Sequence, residues 1–568
     1  MSFMKSLFFG IIDESVLFPY PHLPESAADE VNQLVTQIGR FATKHVDAAA
    51  IDRAEKIPVD VIAGLRDLGV FGMLAPKAVG GKAMSTTGFA RVIQELAGID
   101  SSLAVTVGAH QSIGYQGILS FGTEAQIAKY LPKLASGEQL AAFALSEPGA
   151  GSDAAAVQTR ADPTQGGFLL SGSKWWITNG GIADVFVVFA RTSPANDDGA
   201  KPKLTAFIVE RAMGVKTGPN QPKLGIRGCS TTEVTFPSIF VPDANVLGEI
   251  GRGFGVAMDT LNRGRIGLAA GCVGLAKHLI QLSTERCQSR RAFGRPIGQF
   301  GLVKDKIAVM LADTFALESM TFMATSMVDS HAVDYSIESA ICKVYGSEIL
   351  LRVANEALQI AAGAGFMREA PFERLLRDAR VNLIFEGTNE ILRCFIALSG
   401  MAGPGQALID VTRAMREPIK GFGLLSDFAI RKARTALGRE RLTRVHPLLA
   451  PAALVFEQYT TELARCAEKV LRKHGKDIAE MQYTQRRVAD MAMDLFAIAC
   501  VLSRTTSVLE RRGEEGARRE TDLTTMFVKA AESRLAITVA SFDDNDDELR
   551  KAIADRAYSD GGYPFDVV

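Results

Sequence analysis

Hydrophobic residues follow two different periodicities along this chain, and each predicts a kind of element. Near the start, helical spacing relates the apolar residues Val31, Leu34, Val35, Ile38 and Phe41. Such spacing is typical of a helix with one buried face. The pattern continues to about residue 140, and Gly69 follows one of its helical segments as a stop signal. We therefore predict an N-terminal helical domain over residues 27–141.

The pattern changes near residue 142, where short apolar runs alternate with turn residues. Residues 185–189 are β-branched or aromatic, and residues 204–209 have the same character. Proline and glycine clusters at 194–199 and 219–222 separate these runs. Strand-forming runs bounded by turn residues predict a β structure. We predict a compact antiparallel β domain over residues 142–250.

Helical spacing returns at Phe254 and continues to the end of the chain. Three long apolar segments, 258–285, 302–329 and 337–360, predict a helical bundle over residues 251–400. The run Gly-Met-Ala-Gly-Pro-Gly at 400–405 is rich in helix breakers and predicts a linker. A further helical domain is expected over residues 406–568. The predicted fold class is therefore mainly α with a central β domain.

Composition and charge exclude several classes of function. Of the 568 residues, 47% are hydrophobic and 22% are charged, which is typical of a globular protein of more than one domain. The net charge of -1 argues against a nucleic-acid-binding protein, which normally has a basic excess. We expect no apolar run long enough to cross a bilayer.

Cysteines and the N-terminus give expectations about compartment. The seven cysteines are scattered and form no C-x-x-C pair, which predicts reduced thiols and neither a disulfide framework nor a metal site. The first residues become acidic at Asp13 and Glu14 and contain no small-residue cleavage site. Because transit peptides are Arg-rich and poor in acids, we expect an untargeted, cytoplasmic bacterial protein.

Glu386 is the leading candidate for chemistry. It stands in the segment Asn-Leu-Ile-Phe-Glu-Gly-Thr-Asn-Glu over residues 382–390, where Ile384 and Phe385 are expected to shield it from water. Desolvation raises the pKa of a carboxyl group toward the range useful to a general base. Taken alone, a Glu beside a Gly is usually a solvated helix end, so the segment needs support from elsewhere in the chain.

Two further segments have the composition of a ligand site. Residues 143–153, Phe-Ala-Leu-Ser-Glu-Pro-Gly-Ala-Gly-Ser-Asp, combine glycines that allow close backbone approach with hydroxyl donors. Residues 174–181 contain both tryptophans of the chain, and Trp176 beside Thr178 suits a planar cofactor. The ordinary interpretations are a surface turn for the first segment and core packing for the second.

Together these segments resemble the acyl-CoA dehydrogenase family. Four motifs occur in the family's order: S-E-P-G-A-G-S-D at 146–153, W-I-T-N-G at 176–180, R-R-A-F-G at 290–294 and F-E-G-T at 385–388. The resemblance covers nearly the whole chain. Because ordinary members end near residue 400, the additional helical region is similar to the very-long-chain subfamily. This implies a fold with an N-terminal helical domain, an antiparallel β domain, a helical bundle and an extra C-terminal helical domain.

The resemblance implies a reaction and residues that perform it. Glu386 matches the family's catalytic base, which removes the α-proton of an acyl-CoA while FAD accepts the β-hydrogen as hydride. The product is a trans-2-enoyl-CoA of fatty acid β-oxidation. In the family, the backbone N–H of the base residue helps to polarise the thioester carbonyl, an oxyanion-hole arrangement. The implied substrate-binding residues are Ser152, Asn262, Arg265 and Gly387.

The FAD contacts implied by the resemblance form a larger group. Residues of the two β-domain segments match the flavin contacts, and residues from the helical bundle match contacts made across a subunit interface or near the adenosine. These residues are Phe143, Leu145, Ser146, Gly151, Ser152, Trp176, Ile177, Thr178, Arg290, Phe293, Gln359, Gly363, Thr388 and Glu390. One departure is Ala362, where relatives often carry glycine; we expect its methyl group to be tolerated.

Three further expectations concern substrate and partners. Val107, Gly108 and Ala109 match the base of the family's acyl tunnel, and small residues there predict a preference for long chains. The resemblance also implies electron-transfer flavoprotein as electron acceptor and a homodimer. Residues 431–445 are basic with interleaved apolar residues, which is compatible with peripheral contact at the inner membrane or with a solvated helix face.

Two alternatives stay open at this level. An acyl-CoA oxidase uses the same base and flavin but passes electrons to oxygen. An assembly or scaffold protein keeps the dehydrogenase fold without significant turnover, and retention of Glu386 favours the enzyme without excluding such a role.

Overall fold

The structure is a computed structural model that describes residues 2–192, 203–330, 334–416 and 440–566. The chain divides into two compact units. The larger unit is Pro19–Leu392, and the other combines Met1–Phe18 with Arg393–Val568. The predicted fold class, mainly α with a central sheet, is confirmed.

Helices precede the sheet, as the spacing of apolar residues predicts. The buried residues of the long helix Glu25–His45 are Val31, Leu34, Ile38 and Ala42, so one face lies in the core. The π-helical stretch Ala109–Tyr115 follows α7 directly. The α-helices in this part are α1 (Phe3–Leu7), α2 (Glu14–Leu17), α3 (Glu25–His45), α4 (Ala48–Ala54), α5 (Val59–Asp67), α6 (Thr86–Ile99), α7 (Ser101–Gly108), α8 (Gln116–Phe121) and α9 (Glu124–Ser136).

The central sheet has eight strands, with β6-β7-β3-β2-β4-β5-β8 in order and β1 beside β4. The strands are β1 (Ala141–Ala144), β2 (Arg160–Thr164), β3 (Gly167–Thr178), β4 (Val185–Arg191), β5 (Leu204–Glu210), β6 (Lys216–Thr217), β7 (Thr231–Pro242) and β8 (Val246–Leu247). Most pairs are antiparallel, but β1 runs parallel to β4 from Ala141 opposite Val185. The expectation of a purely antiparallel domain is therefore wrong. β1 and β4 can pair in parallel because a long connection through β2 and β3 joins them, whereas a hairpin would make them antiparallel.

A helical bundle follows the sheet and completes the larger unit. Its elements are α10 (Gly253–Ser289), the short strands β9 (Arg291–Ala292) and β10 (Arg295–Pro296), α11 (Gly301–Asp329), α12 (Ser336–Ala361), α13 (Gly363–Phe366) and α14 (Phe372–Arg380). The aliphatic faces of α10, α11 and α12 share one core that includes Leu279, Leu317 and Leu350. This core fixes the two helices, α10 and α12, that face the candidate base.

The second unit contains α15 (Asn389–Arg416) from Arg393 onward, with α16 (Ala450–His474), α17 (Gln482–Gly516, broken at Gly513), α18 (Arg518–Ala540) and α19 (Asp547–Asp560). The linker expected at residues 400–405 is wrong, because α15 continues through it with Pro404 inside the helix. The glycines there serve packing: a Cβ on Gly400 would lie 2.2 Å from the Phe8 ring. Helix α1 and Phe8 thus belong to the core of this unit.

Three described helices, α10, α11 and α17, are long and apolar enough to cross a membrane by length and composition alone. The expectation that no apolar run reaches that length is therefore wrong. Within the protein, 67%, 67% and 89% of their apolar windows are buried. Apolar residues on most sides are also what a helix in the middle of a bundle requires.

Candidate active site

Glu386 lies in a turn between the bundle and α15. The 3-10 helix Val381–Leu383 ends just before it, and α15 begins at Asn389. The φ angles of Glu386 and Gly387 are 57° and 96°, so two successive residues adopt left-handed backbone. This conformation is unfavourable for a residue with a side chain and persists only where surrounding contacts hold it. The turn is therefore a strained segment that carries the candidate base.

The Glu386 carboxylate lies against the backbone of α10. Its Oε2 atom is buried and accepts no hydrogen bond in the described part of the chain. A Cβ on Gly264 would lie 2.8 Å from this oxygen and 2.7 Å from Ile113, so glycine leaves the space that the carboxylate fills. Of the two residues expected to shield the carboxylate, Ile384 is itself half-exposed and Phe385 is half-buried. On the side of Oε2, the carboxylate is covered by α10 at Gly264 and by the π-helical stretch at Ile113.

Burial dominates the electrostatics of this group. It raises the pKa of Glu386 to about 7, although the positive charges of Arg265 and Lys343 act in the opposite direction. A carboxyl group with a pKa near the working pH is well suited to accept a proton. The Glu386 carboxylate, with a buried and unpaired oxygen beside Gly264, is therefore the candidate general base in the larger unit.

Two buried cations hold the backbone of the turn. Arg265, on α10, donates from Nε to the carbonyl oxygen of Glu386 at 3.2 Å and from a terminal nitrogen to Oδ1 of Asn262 at 2.8 Å. Lys343, on α12, donates to the carbonyl oxygen of Gly387 at 2.7 Å. The structure thus brings four of the predicted residues together: Asn262, Arg265, Glu386 and Gly387. Sequence reasoning missed Lys343, whose only signal is a charge inside the apolar run 341–344.

The two ligand-like segments of the β domain also meet. The Trp175 N–H donates to the Ser146 carbonyl at 2.9 Å, and the buried Lys174 donates to the Leu145 carbonyl and to Glu147 Oε1 at 2.9 and 2.8 Å. Burial lowers the pKa of Lys174 to about 8. This buried ion pair, which the sequence analysis did not identify, fixes the end of β1 against the end of β3.

We call the place where segments 143–153 and 174–181 meet the rim. It presents an exposed aromatic side chain and an open turn. A register shift after Lys174 places Trp176 at a φ of 58° and leaves it 55% exposed. Gly149 and Gly151 have nothing within 4 Å of a built Cβ, and Ser152 is exposed. Of the other rim residues, Leu145 and Ile177 are buried, whereas Phe143, Ser146 and Thr178 are half-buried.

The remaining predicted residues lie on exposed surfaces of the bundle, apart from Thr388, which is half-buried. Phe293, between β9 and β10, is 94% exposed at a φ of 51°. Gln359 and Gly363 are exposed at the end of α12, and Thr388 accepts a hydrogen bond from the Ile391 N–H at the start of α15. No contact within the described chain connects them to the Glu386 carboxylate. The exposed members of this set also include Arg290 and Glu390.

Comparisons with known proteins match most of the chain. Family models match in the order "Acyl-CoA dehydrogenase, N-terminal domain" at 28–138, "middle domain" at 142–239, "C-terminal domain" at 251–401 and "ACAD9/ACADV, C-terminal domain" at 447–563. The mitochondrial very long-chain specific acyl-CoA dehydrogenase of Macaca fascicularis is 41% identical over 545 residues, covering 94% of this chain and 83% of that protein.

Solved structures are similar as well. An acyl-CoA dehydrogenase complexed with FAD from Bacillus anthracis is 30% identical, with a TM-score of 0.82, and the match covers 97% of this chain and 94% of that one. A chain from a structure described as an electron transferring flavoprotein of Acidaminococcus fermentans is 32% identical, with a TM-score of 0.63, covering 66% and 98%.

Proposed function

Because the chain belongs to the acyl-CoA dehydrogenase family, we propose that it is an FAD-dependent enzyme of fatty acid β-oxidation. It removes one hydrogen each from the α and β carbons of an acyl-CoA and releases trans-2-enoyl-CoA. The observation that carries this proposal is the Glu386 carboxylate, buried and without a hydrogen-bond partner at Oε2, with its pKa raised to about 7.

The rim residues fit an FAD cofactor. Trp176 offers an exposed aromatic face beside Thr178, and the open turn at Gly149 and Gly151 leaves room for a bulky charged group near Ser152. These residues would hold the flavin and its phosphates by stacking and by hydrogen bonds. When bound, FAD supplies the acceptor for the β-hydrogen and its electron pair, which no protein side chain supplies.

The chain's own residues handle the proton and the carbonyl. Glu386 accepts the α-proton at its carboxylate, and a bound acyl group would expel the remaining water from this side of α10. The backbone N–H of Glu386 is the donor we assign to the thioester oxygen, since a fixed N–H stabilises the negative charge that develops there. Arg265, on α10, supports the turn by donating a hydrogen bond to the Glu386 carbonyl oxygen. In this role Arg265 orients the turn, beside the coenzyme A contact that the resemblance implies for it.

Long acyl chains are the proposed substrates. Val107 is fully buried at the end of α7, and a Cβ on Gly108 would meet only the Ile93 methyl group at 3.9 Å. Gly108→Val adds a bulkier side chain where the resemblance implies the base of the acyl tunnel. The activity of this variant on palmitoyl-CoA should therefore fall more than its activity on butyryl-CoA. Steady-state assays with both substrates measure the ratio. Wild-type activity that peaks on butyryl-CoA and vanishes on palmitoyl-CoA removes the proposal.

An anaerobic titration with palmitoyl-CoA tests the reaction itself. Bleaching of the flavin absorbance is expected for wild type and for Glu138→Gln, an exposed glutamate paired with Lys133, and not for Glu386→Gln. Repeating the assay in air with and without an artificial acceptor separates a dehydrogenase from an oxidase. Bound flavin that no acyl-CoA bleaches would favour the scaffold function.

Electron-transfer flavoprotein is the proposed acceptor. Family membership supports this assignment. Purified electron-transfer flavoprotein should reoxidise the reduced enzyme faster than dissolved oxygen does, in a stopped-flow mixing experiment. Equal rates would remove this partner from the account.

We also propose a homodimer. Phe293, Leu302, Phe366 and Met367 are 94%, 83%, 76% and 54% exposed on the single chain, and exposed apolar residues in such numbers are typical of an interaction surface. Light scattering should give twice the 61.0 kDa chain mass. Phe293→Asp should lower that mass and release FAD, whereas a wild-type monomer would contradict the dimer.

Location in the cytoplasm with peripheral membrane contact is the last proposal, and it rests on the sequence. Of the basic stretch 431–445, residues 431–439 lie outside the described residues. Flotation with vesicles containing anionic lipid should carry wild type upward, and reversing the charges of this stretch should abolish flotation. Equal flotation of both proteins would rule out the stretch as the contact.

A further inference from the structure

Lys343 is a buried cation whose position the proposed reaction does not explain. Its side chain is fully buried on α12, and no carboxylate within the described residues forms an ion pair with it. Burying an ammonium group is unfavourable unless hydrogen bonds compensate it. Both hydrogen bonds that it donates go to the segment after Glu386: to the Gly387 carbonyl at 2.7 Å and to Asn389 Oδ1 at 2.8 Å.

Asn389 extends this contact back to α12. Its amide nitrogen donates to Ser347 Oγ at 3.0 Å and to Glu348 Oε1 at 3.1 Å, and the residue is buried at the first turn of α15. Lys343, Ser347 and Glu348 lie on the same helix, with Ser347 and Glu348 about one turn after Lys343. One face of α12 therefore holds both the turn and the helix start that follows it.

The turn is also held from α10. Arg265 donates to the Glu386 carbonyl at 3.2 Å, while Lys343 donates to the next carbonyl in the chain. Charge-assisted hydrogen bonds of this kind are about twice as strong as neutral ones. The two residues between these cations, Glu386 and Gly387, have φ angles of 57° and 96°. Two cations on separate helices thus clamp the strained backbone at consecutive carbonyls.

We propose that Lys343 is a positioning residue for the base: it fixes the Gly387 carbonyl, keeps the Glu386 turn in its strained conformation and holds a positive charge behind the carboxylate. This inference rests on the proposed function. Lys343 acts through the backbone, while Glu386 contacts the reacting atoms. Rotation of the turn would move both the carboxylate and the Glu386 N–H, so one residue sets the direction of the proton acceptor and of the carbonyl donor.

The charge has a consequence for pH dependence. Arg265 on α10 and Lys343 on α12 are the positive groups that favour ionised Glu386. Glu390 on α15 and Cys272 on α10 also face Lys343, and burial raises the pKa of the Cys272 thiol to about 12, so it stays neutral. Glu348 is coupled to the ammonium through Asn389. Burial lowers the pKa of Lys343 to about 8, so its charge is present below that pH. Among the described residues, removing this charge leaves Arg265 as the positive group that opposes the effect of burial on the pKa of Glu386.

The test compares Lys343→Met, Lys343→Arg and a control, Lys277→Met, whose side chain pairs with Glu318 on the same bundle. Each holoenzyme is mixed anaerobically with palmitoyl-CoA across pH 5.5–9. Lys343→Met should slow flavin reduction at least about tenfold and move the midpoint of its pH profile upward by about one unit. Lys343→Arg should recover most of the shift, and the control should match wild type.

A second readout does not depend on turnover. Infrared difference spectra follow the protonated carboxyl band of Glu386 with pH, assigned by its loss in Glu386→Gln. Its midpoint should rise in Lys343→Met. If that variant does not fold as a holoenzyme, Asn389→Asp places a negative charge beside the ammonium and should raise the same midpoint. Unchanged midpoints in the folded variants would overturn the inference. Failure of the proposed function is distinguishable, because wild type would then not be reduced at all.

Discussion

Two opposing forces set the proton affinity of Glu386. Burial favours the neutral carboxyl group, and the charges of Arg265 and Lys343 favour the carboxylate. The result, a pKa of about 7, means that the unliganded enzyme gains its active, ionised form as the pH rises through 7. Flavin reduction by palmitoyl-CoA should therefore increase from pH 6 to pH 8 before levelling. A profile that is flat over this range would contradict the assignment of burial as the dominant cause.

Asp378 is a second buried carboxyl group, and it affects stability rather than catalysis. Burial and the neighbouring Asp100 raise its pKa to about 7 from an ordinary value of 3.8. Because the folded state favours the protonated form, its stabilising contribution is complete below pH ~4 and is lost as the pH rises through about 7. Asp378→Asn keeps an acceptor for the Ile226 N–H and removes this titration.

The free energy of unfolding of wild type should therefore fall by roughly 1 to 2 kcal/mol more than that of Asp378→Asn between pH 5.5 and 8. Urea denaturation at both pH values measures the difference. If the free energy of unfolding changed by the same amount in both proteins, Asp378 would not titrate in this range. Glu386 titrates in both proteins, so its effect cancels.

Ala362 carries backbone strain that a glycine would remove. It caps α12 with φ 55° and ψ -136°, a conformation that side chains disfavour. The amino-acid sequence shows the extra methyl group of Ala362 but not this backbone conformation. Ala362→Gly should raise the thermal midpoint, with a gain of about 1 kcal/mol at most, because glycine loses more chain entropy on folding. Ala364→Gly, two positions further on and inside α13, should lower the midpoint; a lower midpoint for Ala362→Gly would contradict the strain.

Among the elements, α15 shows where composition and packing disagree. Residues 400–405 contain three glycines and a proline, which locally favour a break, yet the helix continues. Tertiary contacts override the local preference, because Phe8 lies where a side chain at Gly400 would stand and Phe9 lies 2.9 Å from a Cβ on Gly403. Nothing in the local sequence indicates that residues almost four hundred positions apart would meet.

Gly400→Ala should destabilise the smaller unit by about 1 to 3 kcal/mol, because its methyl group overlaps the Phe8 ring. Gly405→Ala is the matched control: its Cβ would lie 3.5 Å from Leu471, an ordinary contact, and alanine favours a helix. Thermal or urea unfolding compares them. Adding Phe8→Ala should reduce the penalty at Gly400; equal effects at the two glycines would contradict the packing.

The strands and long helices were predicted well because their apolar periodicities are local. The apolar neighbours of Glu386 in sequence made it a candidate base, but its role came from the resemblance to the family's F-E-G-T motif and not from the local pattern alone. Lys343 could not be found, because its hydrogen-bond acceptor, the Gly387 carbonyl, is 44 positions further along the chain. The parallel pairing of β1 with β4 has the same cause, a contact between distant segments.

For the molecule as a whole, the larger unit contains the entire network around the candidate base. Asn262, Arg265, Lys343, Glu386 and Asn389 all lie within Pro19–Leu392. Because the net charge is only -1, the protein as a whole exerts little electrostatic attraction on a charged substrate. Any such attraction comes from local charged groups. The chemistry therefore depends on a few buried charges, which makes the single carboxylate of Glu386 the central claim.

The most direct test is stopped-flow reduction of the FAD holoenzyme by palmitoyl-CoA under anaerobic conditions, comparing wild type with Glu386→Gln at pH 8. The account predicts rapid bleaching of wild-type flavin and a loss of at least about a thousandfold in the variant, because no other described carboxylate lies at that place on α10. Flavin content and unfolding temperature of the variant should match wild type. Bleaching of Glu386→Gln at the wild-type rate would contradict the assignment of the base.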